Sequence, residues 1–207
     1  RIDNLASVYA SLVSIAEQGT GMRVIACLDS EEVGSLTRQG ADSDFLSTVL
    51  TRIASAQGLD AQGYSLALSH SFCLSLDGAH GFHPNHPEKY DPRERAFLGK
   101  GAALKRHAGG AYTTDSLSAA AVRKLFALAD APLQSFYNRS DMRSGGTLGA
   151  ISLSHASMLC ADLGIPQLAM HSAVETMAYC DYTALVAGVR SFFSHEIIVM
   201  HDQIEIK

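Results

Sequence analysis

Two adjacent carboxylates, Glu31 and Glu32, follow the apolar run Met22-Arg23-Val24-Ile25-Ala26-Cys27-Leu28 in the stretch Asp29-Ser30-Glu31-Glu32-Val33-Gly34-Ser35. Neighbouring carboxylates at the end of a buried strand repel each other and are poorly solvated, so a cation between them is the simplest way to keep both ionised. A metal ion is the usual cation in such a place. Asp3, Asp77, His80 and His171 are further acids and imidazoles at predicted element ends, where open α/β sheets present ligand groups. Oxygen and imidazole donors without a thiolate favour zinc, manganese or cobalt in a hydrolytic centre over a structural zinc. A two-metal centre needs a bridging carboxylate, terminal carboxylates and histidines, and a free base to activate water. Successive side chains on a strand or tight turn point opposite ways, so one glutamate of the pair can bind metal while the other holds the water.

Each of these residues also has a plainer reading. Asp3 suits the N-cap of a helix, the glutamate pair suits solvated charges on a surface turn, and His171, between Met170 and Ser172, suits an ordinary core or surface imidazole. His80, His83 and His86 have the i, i+3 spacing of a helical metal site. Pro84 and Pro87 argue against a helix there, so these three are not expected to converge on one ion.

The elements that must position these groups read as helices alternating with strands. Leu5, Val8, Tyr9, Leu12 and Ile15 recur at helical spacing after Asp3 and Asn4, with Gly19 or Gly21 as the stop. Residues 22–28 predict a buried strand, and Asp42 opens a second helix through Ile53. Residues 64–76 alternate and predict a strand that delivers Asp77; residues 78–101, rich in His, Pro and charge, read as a functional loop. A helix over 116–129, a strand over 133–137, a helix over about 147–160 and a short strand from Gly164 leading to His171 follow. The last helix carries Tyr182, Leu185, Val186, Val189, Phe192 and Phe193 on one face, and the tail 196–207 alternates weakly. This order predicts a layered α/β/α domain around a mixed, mostly parallel sheet.

Composition bounds the alternatives. A chain of 207 residues with 47% hydrophobic and 18% charged content has the material for one globular core. The formal charge of -5 and the scattered lysines and arginines give no footprint for nucleic acid. No apolar stretch reaches the roughly 20 residues that span a bilayer, and no signal-peptide pattern opens the chain, so no membrane partner and a cytoplasmic location are expected. Cys27, Cys73, Cys160 and Cys180 are far apart in apolar surroundings and read as buried thiols. The start on Arg1, without an initiator Met and as though within an element, reads as a fragment or processed piece.

Several ordered motifs carry a family resemblance. Arg1-Ile2-Asp3-Asn4-Leu5, the Asp29 to Ser35 stretch, Asp77-Gly78-Ala79-His80 with His83-Pro84-Asn85, and Gly164-Ile165-Pro166-Gln167-Leu168-Ala169-Met170-His171-Ser172 resemble the aspartyl aminopeptidase family, which includes the vacuolar aminopeptidase I group. The resemblance runs from Arg1 to about Phe193. It implies a zinc-peptidase-like catalytic domain that hydrolyses N-terminal residues, acidic ones among them, from peptide substrates with two divalent ions, zinc foremost and cobalt or manganese as alternatives. By the matching motifs Asp3 would bridge the metals, Glu32 and His171 would complete one site, Asp77 would serve the other, and Glu31 would be the general base. His80, Lys105 and Tyr112 match positions that hold substrate, and the stretch 141–149, with Gly145-Gly146, looks like the family's glycine turn into a helix that lines the pocket.

In the family a further metal-binding histidine comes from an N-terminal segment, and an inserted domain serves homo-oligomer assembly. Residues 1–207 match the C-terminal portion of the catalytic domain without either, and the tail 195–207 does not resemble the family's ending. Three readings follow: a metal-dependent aminopeptidase, a truncated scaffold that keeps a partial metal site and acts in assembly, and a metal-free globular domain.

Overall fold

One ten-residue strand organises the molecule. In the computed structural model, which describes residues 1–16, 19–142 and 144–207, the elements run α1 (Ile2–Ser14), α2 (Phe45–Ala56), α3 (Ala61–Ser69), β1 (Phe72–His80), β2 (Ala102–Arg106), α4 (Ser116–Leu128), β3 (Leu133–Tyr137), α5 (Leu148–His155), β4 (Leu159–Leu168), β5 (Thr176–Met177), α6 (Tyr179–Ser194), β6 (Ile197–Val199) and β7 (Ile204–Ile206). The main sheet has the order β1-β4-β2-β3, with β5 added to the end of β4. β1 lies parallel to β4 and β2 parallel to β3, while β2 and β5 run antiparallel to β4. The result is the mixed, layered α/β arrangement that the sequence predicts.

The period-two alternation of the strands divides the two faces of the sheet. Leu74, Leu76, Leu104, Ala161, Leu163 and Ile165 face one way and share a core with Val122 and Phe126 of α4 and Leu185 and Val189 of α6. Ala10 of α1 joins the same core. The intervening residues Ser75, Asp77, Lys105, Asp162 and Gly164 face the other side, where α5 brings Gly149 against Ser75 and Asp162. β4 is buried along nearly its whole length on both faces, as a central strand must be. At Gly164 the backbones are so close that a Cβ would stand 2.8 Å from both the Ala79 Cβ and the Asp77 carbonyl oxygen.

Several sequence expectations hold closely. The strand at Leu133–Tyr137 is as predicted, and α4 starts on a reciprocal cap in which the Asp115 carboxylate accepts from Ser118 N at 2.7 Å while Asp115 N donates to Ser118 Oγ at 3.0 Å. Others need correction. Residues 22–28 form no strand; Met22 and Val24 are exposed and only Ile25 packs on the core. An apolar run becomes a strand only through a paired neighbour, and none among the described residues pairs with it. Residues 64–69 belong to α3, whose N-cap Asp60 accepts from Gly63 N at 2.7 Å. The Ser-Leu-Ala-Leu-Ser alternation there contains no β-branched residue, so the cap and the helix-forming Ala and Leu prevail.

The helix expected over 147–160 ends at His155, and Leu159 already opens β4. A run buried on both faces carries no periodicity to tell the two states apart. Beyond the segment read as a loop, the short strand β2 supplies the sheet's central ladder with β4. Cys27 and Cys180 are exposed, contrary to the buried reading, and all four cysteines are free thiols. The tail forms its own hairpin, β6 with β7, outside the main sheet, tied to the body through His70 Nδ1 at 2.6 Å from the Val199 carbonyl oxygen.

Candidate metal centre

The acids and histidines gather where β1 and β4 end and α1 begins. Asp3 lies in the first turn of α1, but its backbone and that of Asn4 are not helical, and the N-cap residue Arg1 makes no side-chain cap. The Asp3 carboxylate points instead to His171, Oδ2 to Nε2 2.9 Å. Asn4 Nδ2 donates to the Leu76 carbonyl at 2.8 Å, which pins the helix start over the end of β1. The N-cap reading of Asp3 is thereby replaced by a contact with a distant histidine.

Glu31 and Glu32 sit on a single 3-10 turn, Glu31–Val33, and not at the end of a strand. The turn is closed by Gly34 N on the Glu31 carbonyl at 3.0 Å, and Gly34 takes a φ of 99° that only glycine adopts without strain. Glu32 Oε1 lies 2.9 Å from the same His171 Nε2 that meets Asp3. One donor atom each from Asp3, Glu32 and His171 lies within 4.8 Å of the others, and this is the one such three-donor cluster among the described residues. Two carboxylates and an imidazole that close, with no thiolate, fit a divalent ion of the zinc type, which takes such ligands at about 2.0 to 2.2 Å.

Asp77, near the end of β1, is a neighbour of Asp3. It accepts from Gly78 N at 2.7 Å and from Lys105 Nζ at 3.1 Å. Lys105 is only 2% exposed. Its Nζ also donates to the Gly78 carbonyl at 2.7 Å and lies 4.9 Å from the centre of the Tyr112 ring. Lys105 is therefore the buried counter-ion of Asp77. Tyr112 is buried as well, and its hydroxyl accepts from Asn138 Nδ2 at 2.9 Å. His80 stands exposed at the last position of β1.

The electrostatics record how crowded these acids are. Burial, then the neighbouring Asp77 and Glu32, push Asp3 up to about 6. Burial, then Asp77, Glu32 and Asp3, push Glu31 up to about 7, against the pull of Lys105. A carboxyl raised in this way marks a crowd of acids that a bound cation would relieve. His171 is raised, since Glu32, Asp3 and Glu175 outweigh the opposing effect of desolvation. His80 is lowered by desolvation and by the positive charges of Lys105 and His171.

Other groups do not join the centre. His83 and His86 lie 5.5 Å apart between ring centres with the rings tilted by 44°, and His86 pairs with Glu88 at 3.5 Å. His107 Nδ1 accepts from Gly109 N at 2.9 Å and therefore carries its proton on Nε2, which meets Ser144 Oγ at 3.0 Å. A histidine in that tautomer donates to the serine and cannot take its proton, which argues against a serine nucleophile there. In the glycine-turn motif Arg143 lies outside the described residues; Gly145 and Gly146 lead to Thr147, the residue before α5. A groove of about 710 Å³ runs between α1, α4 and α6 past Tyr9, Leu128, Tyr182 and Val186. It contains none of the clustered acids, so the chemistry and not the volume locates the site.

Two residues of the centre's surroundings escape sequence reading. Asp162, a lone acid in the run Leu159-Cys160-Ala161-Asp162-Leu163, accepts from Thr113 N at 2.6 Å, Thr113 Oγ1 at 2.7 Å and Thr147 Oγ1 at 2.6 Å. A fully buried acid inside a strand is the signal that could have found it, had the strand been recognised. Glu175 accepts from the backbone of residues at opposite ends of the chain, which no local pattern encodes.

A layered α/β domain with two carboxylates and a histidine clustered beyond the ends of its central strands is a candidate metal-binding domain. The chain belongs to the aminopeptidase I zinc metalloprotease (M18) family, whose model matches residues 1–193. It is 44% identical over 196 residues to a probable M18 family aminopeptidase 2 of Clostridium novyi, covering 94% of this chain and 45% of that protein. It is 35% identical over 203 residues to aspartyl aminopeptidase 1 of Schizosaccharomyces pombe, covering 94% of this chain and 43% of the relative. Among solved structures, the S. cerevisiae mApe1 dodecamer superposes with a TM-score of 0.80 at 28% identity, covering 93% of this chain and 44% of that one. The chain thus spans less than half the length of these relatives.

Proposed function

We propose that this chain carries the general base and one complete ligand set of a metal-dependent aminopeptidase that removes N-terminal residues, acidic ones among them, from peptides. The observation that carries the reading is the convergence of Asp3, Glu32 and His171 donors within 4.8 Å of one another, with Glu31 one residue away and raised to about 7. Membership of a zinc metalloprotease family supports zinc as the ion. When bound, such an ion polarises the scissile carbonyl and lowers the pKa of a water molecule. Glu31 takes the water's proton and delivers it to the leaving amine. Asp3, which meets His171 at 2.9 Å and has Asp77 as a neighbour, would be the carboxylate shared by two ions, and Asp77 would help to hold the second.

Lys105 donates to Asp77 and lends positive potential to the same face of the sheet. His80 is exposed beside it and is the group best placed to meet a substrate carboxylate, while Tyr112 packs on Lys105 and orients it. Homo-oligomeric assembly and a cytoplasmic setting complete the proposal; the dodecameric neighbour supports the first, and no helix among the described residues is long and apolar enough to cross a membrane. The alternative is a scaffold that keeps the cluster of Asp3, Glu32 and His171 and binds metal without turnover.

The test is hydrolysis of aspartyl, glutamyl and neutral aminoacyl amides by the zinc- or cobalt-loaded chain and its Glu31→Gln variant. The variant is expected to lose at least about 100-fold in rate and to keep metal binding. Undiminished hydrolysis by Glu31→Gln overturns the mechanism, and metal binding without turnover by the unaltered chain supports the scaffold.

A further inference from the structure

Asp3 and His171 lie 168 residues apart, one at the start of α1 and the other in the turn that follows β4. Something must fix their backbones relative to each other, because a ligand displaced by a fraction of an ångström binds an ion poorly. One side chain touches both. Glu175 Oε2 accepts from Ile2 N at 2.7 Å and from Asp3 N at 3.2 Å, and Glu175 Oε1 accepts from His171 N at 2.9 Å.

We infer that Glu175 is a positioning residue of the metal centre, setting the separation of Asp3 and His171 by holding their main chains from one carboxylate. The inference rests on the metal-centre reading above.

The local structure is built for this task. The first amides of a helix have no partner within it and call for an acceptor, and α1 has no side-chain cap of its own. Glu175 accepts from the Ile2 and Asp3 amides at the non-helical step that precedes the regular part of α1, so it fixes the segment that carries Asp3. His171 has a φ of 67°, an unusual backbone state for histidine, and its amide is held in that state by the same carboxylate. The loop between them is tight, with Ser172 N on the Ala169 carbonyl at 3.0 Å and Val174 N on Ser172 Oγ at 3.1 Å. Directly after Glu175, β5 pairs back onto the end of β4, Gln167 opposite Met177, so the loop is anchored at both ends. Both Glu175 oxygens are engaged by amides and the residue is outside the three-donor cluster, so it supports ligands without being one. Supporting groups of this kind are worth about 10- to 100-fold in metal affinity.

The experiment uses the chain as it stands, with cobalt(II) as probe. Affinity is obtained by competition with a chelator and ligand geometry from the visible absorption bands, both read well below the melting transition of each protein. Glu175→Ala is expected to weaken cobalt binding about tenfold or more and to change the position and intensity of the bands. Glu175→Gln, which keeps the size and one carbonyl oxygen, recovers part of the affinity. A purely structural role lowers the melting temperature and leaves the spectrum of the folded, loaded protein unchanged. An Ala variant with the affinity and spectrum of the unaltered chain overturns the inference. Where Glu175→Ala does not fold, Glu175→Gln carries the same test, and unchanged affinity and bands in it are equally fatal. Failure of the unaltered chain to bind cobalt overturns the metal centre itself, and the inference with it.

Discussion

Lys105 donates to Asp77 across 3.1 Å from a side chain that is 3% exposed, while Asp77 retains 22% of its own exposure. The pair is asymmetric: the cation is sealed and the anion faces the site. Replacing Lys105 with Met leaves Asp77 unpaired beside Asp3. The expected cost is about 2 to 3 kcal/mol, below that of breaking a fully buried pair because Asp77 keeps some solvent. Urea unfolding with a chelator present measures it, and added zinc should return part of the loss by giving Asp77 a new cation.

The raised carboxyls predict an inverted pH dependence for the metal-free chain. Asp3 rises from 3.8 to about 6 and Glu31 from 4.5 to about 7, first through burial and then through neighbouring acids. The folded chain therefore binds these protons more tightly than the unfolded one. Their stabilising contribution is fully present below the unfolded values and is lost as the pH rises through 6 and 7. In chelator, Glu31→Gln should gain in melting temperature relative to the unaltered chain between about pH 5 and about pH 8. A difference that does not vary with pH contradicts the coupling.

Metal binding should run against the same protons. An ion at Asp3 and His171 displaces whatever protons they hold, so affinity falls as the pH is lowered and binding near neutrality releases protons. Zinc titrations in two buffers of different ionisation enthalpy give the number released. No release contradicts a site built on these two residues.

Asp162 holds Thr113 and Thr147 through three short hydrogen bonds from a fully buried carboxylate. Asn in its place turns an amide N–H₂ toward donors and breaks the set on one oxygen. The expected loss is about 2 to 3 kcal/mol, with faster hydrogen exchange at the Thr113 amide. Slow exchange there in Asp162→Asn shows that other contacts hold this loop.

The cap of α4 gives a smaller effect. Asp115→Ala removes the acceptor for Ser118 N and should lower stability by about 1 kcal/mol. Thermal melting reads this directly.

What the sequence made legible follows from the range of the forces involved. Amphipathic helices such as α1 and α6 and the strand Leu133–Tyr137 write their burial into local spacing, and they were found. Residues 22–28 look like a strand because apolar residues signal burial, yet pairing depends on a neighbour and here there is none among the described residues. β4 resembles the end of a helix because a strand buried on both faces has no polar face to give it a period. At the site, Asp3, Glu32 and His171 were named from ordered motifs and the structure brings them together. Lys105 was also named, but its burial against Asp77 depends on β2 meeting β4, a long-range event. Glu175 was missed because its partners are backbone amides, which carry no residue type to recognise.

The tight approach at Gly164 bears on how the chain reaches this arrangement. A β4 paired one residue out of register with β1 would turn Asp162 away from Thr113 and carry His171 about 3.3 Å from its place beside Asp3. Only glycine fits between the Ala79 side chain and the Asp77 carbonyl, so a misaligned β4 would put the side chain of Leu163 or Ile165 into that gap and collide. The gap at Gly164 thus fits one register of β4 on β1, the register in which His171 reaches Asp3.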